Sequence, residues 1–267
     1  LIPDSDLIGA FRFDSQKEGS AVTSSTVQTA TPAPTSANLS VGEAEGLKAH
    51  SLIRWLSLSD TIGWGGRIVS AQLRLHTQPY AIGDSSSAYT LQVREITSFW
   101  NSFTFTYDSL VHLERSPDPV GSVSRSFTFP DSVDIDLDTT MVRKWLVNMN
   151  ADDFYSNYGV ILEAPGNAGI RAFQSVEAEL PPKLTVIIQT DNGLDTLIGG
   201  TIDDTYIAGG RDVTQDEGMT VHGGLGARGK LFFDVSAIPG ADIVNYATLY
   251  LTIDRSKSDG YFHGADS

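Results

Sequence analysis

Asp134 and Asp136 stand two residues apart in VDIDL (133–137). On a strand, that spacing puts both carboxylates on one face. Two facing carboxylates are the groups that glycoside hydrolysis needs, one as acid and one as nucleophile or base. The competing reading is the solvated face of a half-buried strand. The alternating Val133, Ile135 and Leu137 favour that second reading. Glu177 and Glu179 alternate in the same way before Pro181-Pro182 and are read alike. His50, His76, His112, His222 and His263 are scattered, and none falls in an H-E-x-x-H or H-x-H context. The sequence has no G-x-S-x-G elbow and no Gly-rich phosphate loop followed by Lys. With no nucleophile or ligand constellation, the expectation is a protein that is not an enzyme.

Binding chemistry has better candidates. Trp64 lies in IGWGG (62–66), where little else explains a large aromatic, and Tyr80 is similar. An exposed aromatic can stack on the apolar face of a pyranose ring. Trp64 has an equal alternative, as a plug for one end of its own sandwich. Trp55, Trp100 and Trp145 lie on strand or helix patterns and read as core. Asp203, Asp204, Asp212, Asp216 and Glu217 form an acidic group. Hard carboxylate oxygens at loop ends suit calcium. Their spacing fits no EF-hand, and acidic loops are common in a chain of this charge.

These side chains must be carried by strands. Residues 52–56 (LIRWL) form an apolar run, and 69–76 alternates, with Ala71, Leu73 and Leu75 on one face. Residues 89–95 and 133–137 alternate too, and Phe103-Thr104-Phe105-Thr106-Tyr107 reads as a strand with aromatics on one face. Met141, Val142, Trp145, Leu146 and Met149 recur at helical spacing after Asp138 or Thr139, either of which can cap a helix. Strands resume at 158–162, 170–174 and 184–188. Residues 1–20 read as a leader or first edge strand, built on the apolar alternation of 8–13. Residues 21–37 read as a loop, since Thr31-Pro32-Ala33-Pro34-Thr35 cannot sit in a central strand. Asp191-Asn192-Gly193 marks a turn.

Composition agrees with an all-β chain. Only 19% of the 267 residues are charged and 40% are hydrophobic, with abundant Gly, Ser and Thr. The net charge of −15 repels phosphates, which argues against nucleic acid and anionic lipid partners. The absence of cysteine removes disulfides, thiolate zinc sites and cysteine nucleophiles together. No stretch approaches the roughly 20 apolar residues of a membrane helix. An extracellular or cell-surface location is expected, and a segment upstream of Leu1 could carry an export signal or a lipid anchor.

The chain also begins one domain twice. NLSVGEAEGLKAHSLIRWL and IVSAQLRLHT in the first copy correspond to GMTVHGGLGARGKLFFDV and IVNYATLYLTI in the second. Superposing AQLRL (71–75) on ATLYL (247–251) gives an offset of about 176 residues, a domain repeat rather than a solenoid unit. The first copy runs on for about another 115 residues past that strand and the second for about 16, short of a domain of that class. The expected organisation is a leader (1–20), a sandwich (21–190), a linker (191–198) and a partial second sandwich (199–267). The apolar strands of the partial copy cannot stay bare in water. The second copy is therefore expected to continue beyond Ser267 or to contact another chain.

The order of these landmarks, from LIRWL through VSAQLRL, LQVREIT…WN…TFTY, VDIDLDTTMVRKWL and NYGVILEA to FQSVEAELPPKLTVI, resembles the DNRLRE-type domain. The resemblance covers about residues 21–190 and returns at DDTYI (203–207) and at KLFFDVSAIPGADIVNYATLYL. It implies an all-β jelly-roll β-sandwich with one short helix, followed by the first part of a second. The family comprises secreted bacterial and archaeal proteins, some of which are carbohydrate-binding modules. The aromatic-Asp pair of its second strand is kept at Phe233-Asp234 and lost at Trp55-Leu56. Its opening Asp pair is kept at Asp203-Asp204, with Ser24-Ser25 at the matching place in copy one. LIPDSD (1–6) is similar to the stretch after the lipidated cysteine of some Bacteroidetes-type surface lipoproteins. The function expected from all this is carbohydrate-binding or adhesive, with a polysaccharide partner. A structural subunit of a surface assembly, held by neighbouring protein chains, is the alternative; a polysaccharide-degrading enzyme is a third reading.

Overall fold

The computed structural model describes Phe13 and residues 22–55, 66–83, 86–148, 157–214, 218–238, 244, 246–255 and 258. The chain is all-β with one short α-helix, as its alternating patterns predict. It divides into two compact units. The larger holds Ala30–Arg211, and the smaller joins the chain before Ala30 to the stretch from Asp212 to Ser258.

The larger unit is a β-sandwich. Its strands are β2 (Asn38–Ala44), β3 (Leu47–Trp55), β4 (Arg67–Ile82), β5 (Tyr89–Glu95), β6 (Gly121–Arg125), β7 (Ser132–Asp136), β8 (Val160–Glu163), β9 (Gly169–Gln174), β10 (Lys183–Thr190) and β11 (Gly193–Gly209). One layer contains β7, the first part of β4, β10 and the first part of β11. The other runs from the end of β4 through β9, β2, β3, β8 and β5 to β6, with the end of β11 on β3. Two long strands therefore serve both layers. Each changes layer just before a register shift: β4 between His76 and Thr77, ahead of the shift between Thr77 and Ala81, and β11 between Gly200 and Thr201, ahead of the shift between Thr201 and Asp203. An extra residue bends a strand and increases its twist, which is how a sandwich turns its corners.

The core fills the space between the layers. Leu73 and Leu75 of β4, Val133 and Ile135 of β7, Val186 of β10, Ile53 and Trp55 of β3 and Phe173 of β9 are all buried in it. Helix α1 (Thr139–Asn148) adds Met141, Val142, Trp145 and Leu146. Asp138 starts the helix by accepting the Thr140 amide at 2.7 Å. A second, smaller core lies on the opposite face of β3 and β8, where Leu52 and Ile161 meet Ile96, Trp100, Phe105, Leu113 and Ile207. This explains the unbroken apolar runs Leu52-Ile53 and Val160-Ile161-Leu162, since strands covered on both faces do not alternate.

Three readings of the sequence change. Residues 103–107 form no strand: they pass through a turn into a short 3-10 helix (Tyr107–His112). Val22–Gln28, read as loop, is strand β1; its β-branched Val and Thr positions suit a pleated backbone. Asp191-Asn192 is a turn, as its sequence predicts, and it closes the β10–β11 hairpin at the Thr190–Gly193 pair. The stretch read as a linker, 191–198, thus runs into β11, which continues to Gly209 within the larger unit. The leader strand expected at 8–13 falls outside the described residues apart from Phe13.

The smaller unit is a two-stranded antiparallel ribbon of β1 and β12 (Ala227–Phe233). Residues 246–254, expected to contain a second apolar strand, take no regular secondary structure, and Tyr246, Tyr250 and Leu251 are exposed.

Candidate functional site: an aromatic cleft over the second core

The loop between β5 and β6 folds around Asn101. Its carbonyl accepts the Thr104 and Phe105 amides at 3.1 and 2.8 Å, and its Oδ1 accepts the Phe103 amide at 2.9 Å. Asn is suited to this because its side chain can imitate a backbone turn. The turn sends Phe105 inward and leaves Phe103 outward, 69% exposed. Trp100 is anchored beneath, donating Nε1–H to the Tyr158 carbonyl at 2.7 Å, with Phe105 edge-on at 6.4 Å. The Arg54 guanidinium covers the Trp100 ring at 5.2 Å and is held there by Asp203 of β11 at 2.5 Å. The 3-10 helix follows, and the amide of its capping residue, Thr106, donates to Ser109 Oγ at 3.2 Å.

These pieces enclose a shallow cleft of about 260 Å³, with Phe99, Trp100, Asn101, Thr104, Ser109 and His112 in its wall. Phe99 is 60% exposed. The cleft therefore offers a floor, one solvent-facing ring, Phe99, and a set of hydroxyl, amide and imidazole groups, and the exposed Phe103 ring stands on the adjoining turn outside the lining. That chemistry can stack a sugar ring and hydrogen-bond its hydroxyls.

The sequence reading missed this site, although its signal was present: five aromatics fall between Phe99 and Tyr107. Their alternation at 103–107 imitates a strand face, whereas the segment turns into the 3-10 helix. Of the two aromatics singled out for sugar binding, Trp64 lies outside the described residues. Tyr80 is half-buried on the bulged part of β4, away from the cleft wall. A second cleft of about 330 Å³ opens beside that bulge, lined by Gln78, Pro79, Phe127, Phe129 and Arg171. Phe129 is 55% exposed there, while Arg171 turns its guanidinium to the Ile82 and Ile170 carbonyls, both at 3.0 Å. Trp55, Trp100 and Trp145 are all buried, as read from their patterns.

The acidic residues have protein partners of their own. Asp203 pairs with Arg54. Asp204, on the other face of β11, is buried and accepts the Val176 amide at 2.8 Å. Burial, with the charges of Glu177 and Asp203 nearby, pushes its pKa up to about 7, against the pull of that amide. Asp212 closes its own turn by accepting the Thr214 amide and hydroxyl at 2.9 and 2.6 Å. Asp216 and Glu217 lie outside the described residues. Among the described residues, no three His, Asp or Glu side chains stand close enough to hold a metal ion.

The strand carboxylates face solvent. Asp134 takes two hydrogen bonds from Arg74, at 2.6 and 2.7 Å, across the β4–β7 pair, and Gln72 reaches Asp136 at 3.2 Å. The Arg74 hydrogen bond holds the Asp134 carboxyl below the ordinary range, the wrong direction for a general acid. Among the described residues, no helix is long and apolar enough to cross a membrane. Compared with known proteins, the chain matches no family model and no curated protein sequence.

Proposed function

We propose that this protein is a non-catalytic β-sandwich of the extracellular space or cell surface that binds polysaccharide through the cleft at Phe99 and the exposed Phe103 ring on the turn beside it. The observation carrying this reading is the pair of phenylalanine rings, each more than half exposed, on a turn pinned by Asn101 beside Asn, Thr, Ser and His side chains. Large apolar rings are rarely displayed this way unless something covers them. The likeness of the strand order to DNRLRE-type domains, some of which bind carbohydrate, points in the same direction. A net charge of −15 opposes uronic acid polymers, so the reading favours neutral glycans. Screening the intact chain on an array of neutral and acidic polysaccharides tests it: retention on a neutral glycan is expected, and no retention on any glycan overturns it.

A structural role in a surface assembly is favoured by a different observation. Phe232, Tyr246, Tyr250, Leu251 and Ile253 in the smaller unit are all more than half exposed.

A further inference from the structure

The repeat and the strand register together reveal an exchange. By sequence, the opening strand of copy two (203–207, DDTYI) corresponds to the stretch of β1 that begins at Ser24-Ser25, and Phe233-Asp234 at the end of β12 corresponds to Trp55-Leu56. In the fold, the opening strand of copy two pairs with β3 of copy one: Asp203 with Arg54, Asp204 with Ile53, Thr205 with Leu52. The opening strand of copy one pairs with β12 of copy two: Ser24 with Leu231, Ser25 with Lys230. Both pairings are antiparallel, and the two registers agree to within one residue. Each copy is thus completed by the opening strand of the other.

The two completions are not equal. On β3, the incoming strand brings Asp204, Thr205 and Ile207 into buried positions and adds Ile207 to the second core. On β12, the incoming strand is mostly Ser and Thr, and Val27 and Phe232 remain 47% and 62% exposed. Burial here is confined to Ala227, Val213 and Leu225, with Gln28 and Thr26 accepting the Val213 and Thr220 amides; a strand pair with so small a buried face has a weakly specified register and is more readily replaced.

We propose that β1 is a donor strand that passes between molecules: Val22–Gln28 of one copy of this chain pairs with Ala227–Phe233 of a second copy, joining chains head to tail. The intermolecular pair uses the same hydrogen bonds as the intramolecular one, so concentration decides between them. Successive donations need not close into a ring, and an open series makes a filament. The inference is independent of the glycan reading and deepens the assembly role.

The absence of native cysteine permits a clean test. Chains carrying only Ser25→Cys are mixed with chains carrying only Lys230→Cys, at rising concentration under mild oxidation. The expected product is a disulfide-linked heterodimer of twice the chain mass, increasing with concentration. The double variant Ser25→Cys/Lys230→Cys at high dilution is expected to close within one chain. Mixing Ser25→Cys with Arg143→Cys, an exposed helix position, measures random collision. No heterodimer, or no more than this control gives, overturns the proposal. Failure of the double variant to close overturns the β1–β12 pairing on which it rests.

Discussion

Arg54 and Asp203 face each other across the β3–β11 pair at 2.5 Å, and the same guanidinium covers Trp100 under the aromatic cleft. Strand β11, far along the chain, thereby fixes a residue beneath the candidate site. Both side chains are largely buried, so removing one leaves the other charged and unpaired. Asp203→Ala is expected to lower unfolding free energy by about 3 kcal/mol in chemical denaturation. Replacing both, as Arg54→Met with Asp203→Leu, is expected to recover much of that loss. Equal losses in the single and double variants would contradict the pairing.

Asp204 gives the fold a pH dependence. Its carboxyl titrates near 7 when folded and in the ordinary carboxylate range when unfolded. The folded chain therefore holds a proton that the unfolded chain has released, and the resulting stability is present in full at acid pH. It is lost as pH rises through about 7, a contribution on the order of 4 kcal/mol. Melting temperature is expected to fall between pH 5 and pH 8 by an amount that Asp204→Asn largely removes. The asparagine keeps an acceptor for the Val176 amide. If calcium instead raised the melting temperature of the parent chain at pH 8 and not that of the variant, Asp204 would be a metal ligand.

Gly42 is a tight spot. Its φ is +127°, and a Cβ there would collide with the Gly169 carbonyl and the Tyr89 hydroxyl. That hydroxyl donates to the Val41 carbonyl at 2.5 Å inside the sandwich. Gly42→Ala is expected to destabilise by more than about 2 kcal/mol, from strain together with a disturbed buried hydrogen bond. A melting temperature within a degree of the parent would show that β2 does not approach β9 this closely.

Asp134 and Asp136 are expected to be dispensable. Asp134→Asn removes an exposed cross-strand ion pair with Arg74, a change of about 1 kcal/mol or less. Reducing-sugar release from the polysaccharide that the protein binds should stay at background in parent and variant alike. Release that disappears with either aspartate would make the protein an enzyme.

The alternation of VDIDL (133–137) and that of Phe103-Thr104-Phe105-Thr106-Tyr107 look the same in sequence, yet only the first became a strand. Strand β7 found an edge on β4, whereas 103–107 was captured locally by the Asn101 turn. Periodicity records which side chains can share a face, not whether a neighbour waits to pair. The same limit hid the partners of β1 and β11. Asp191-Asn192-Gly193 and the Ser/Thr character of β1 carry no information about which strand each neighbour pairs with; that depends on contacts far apart in the chain. The layers, the helix and the tryptophan core were legible because burial leaves a periodic trace. The cleft was not, because Phe99 and Phe103 are exposed and so leave none.

The most direct test of the account is a titration of the intact protein and three variants, Phe99→Ala, Phe103→Ala and Phe129→Ala, with the neutral polysaccharide that best retains the parent, followed by affinity electrophoresis or calorimetry. Removing one stacked ring should cost about 1.4 kcal/mol, a tenfold loss of affinity. The account predicts that loss for Phe99→Ala and Phe103→Ala, with Phe129→Ala, beside the other cleft, binding like the parent. Binding unchanged in the first two variants, or absent from the parent altogether, would contradict it.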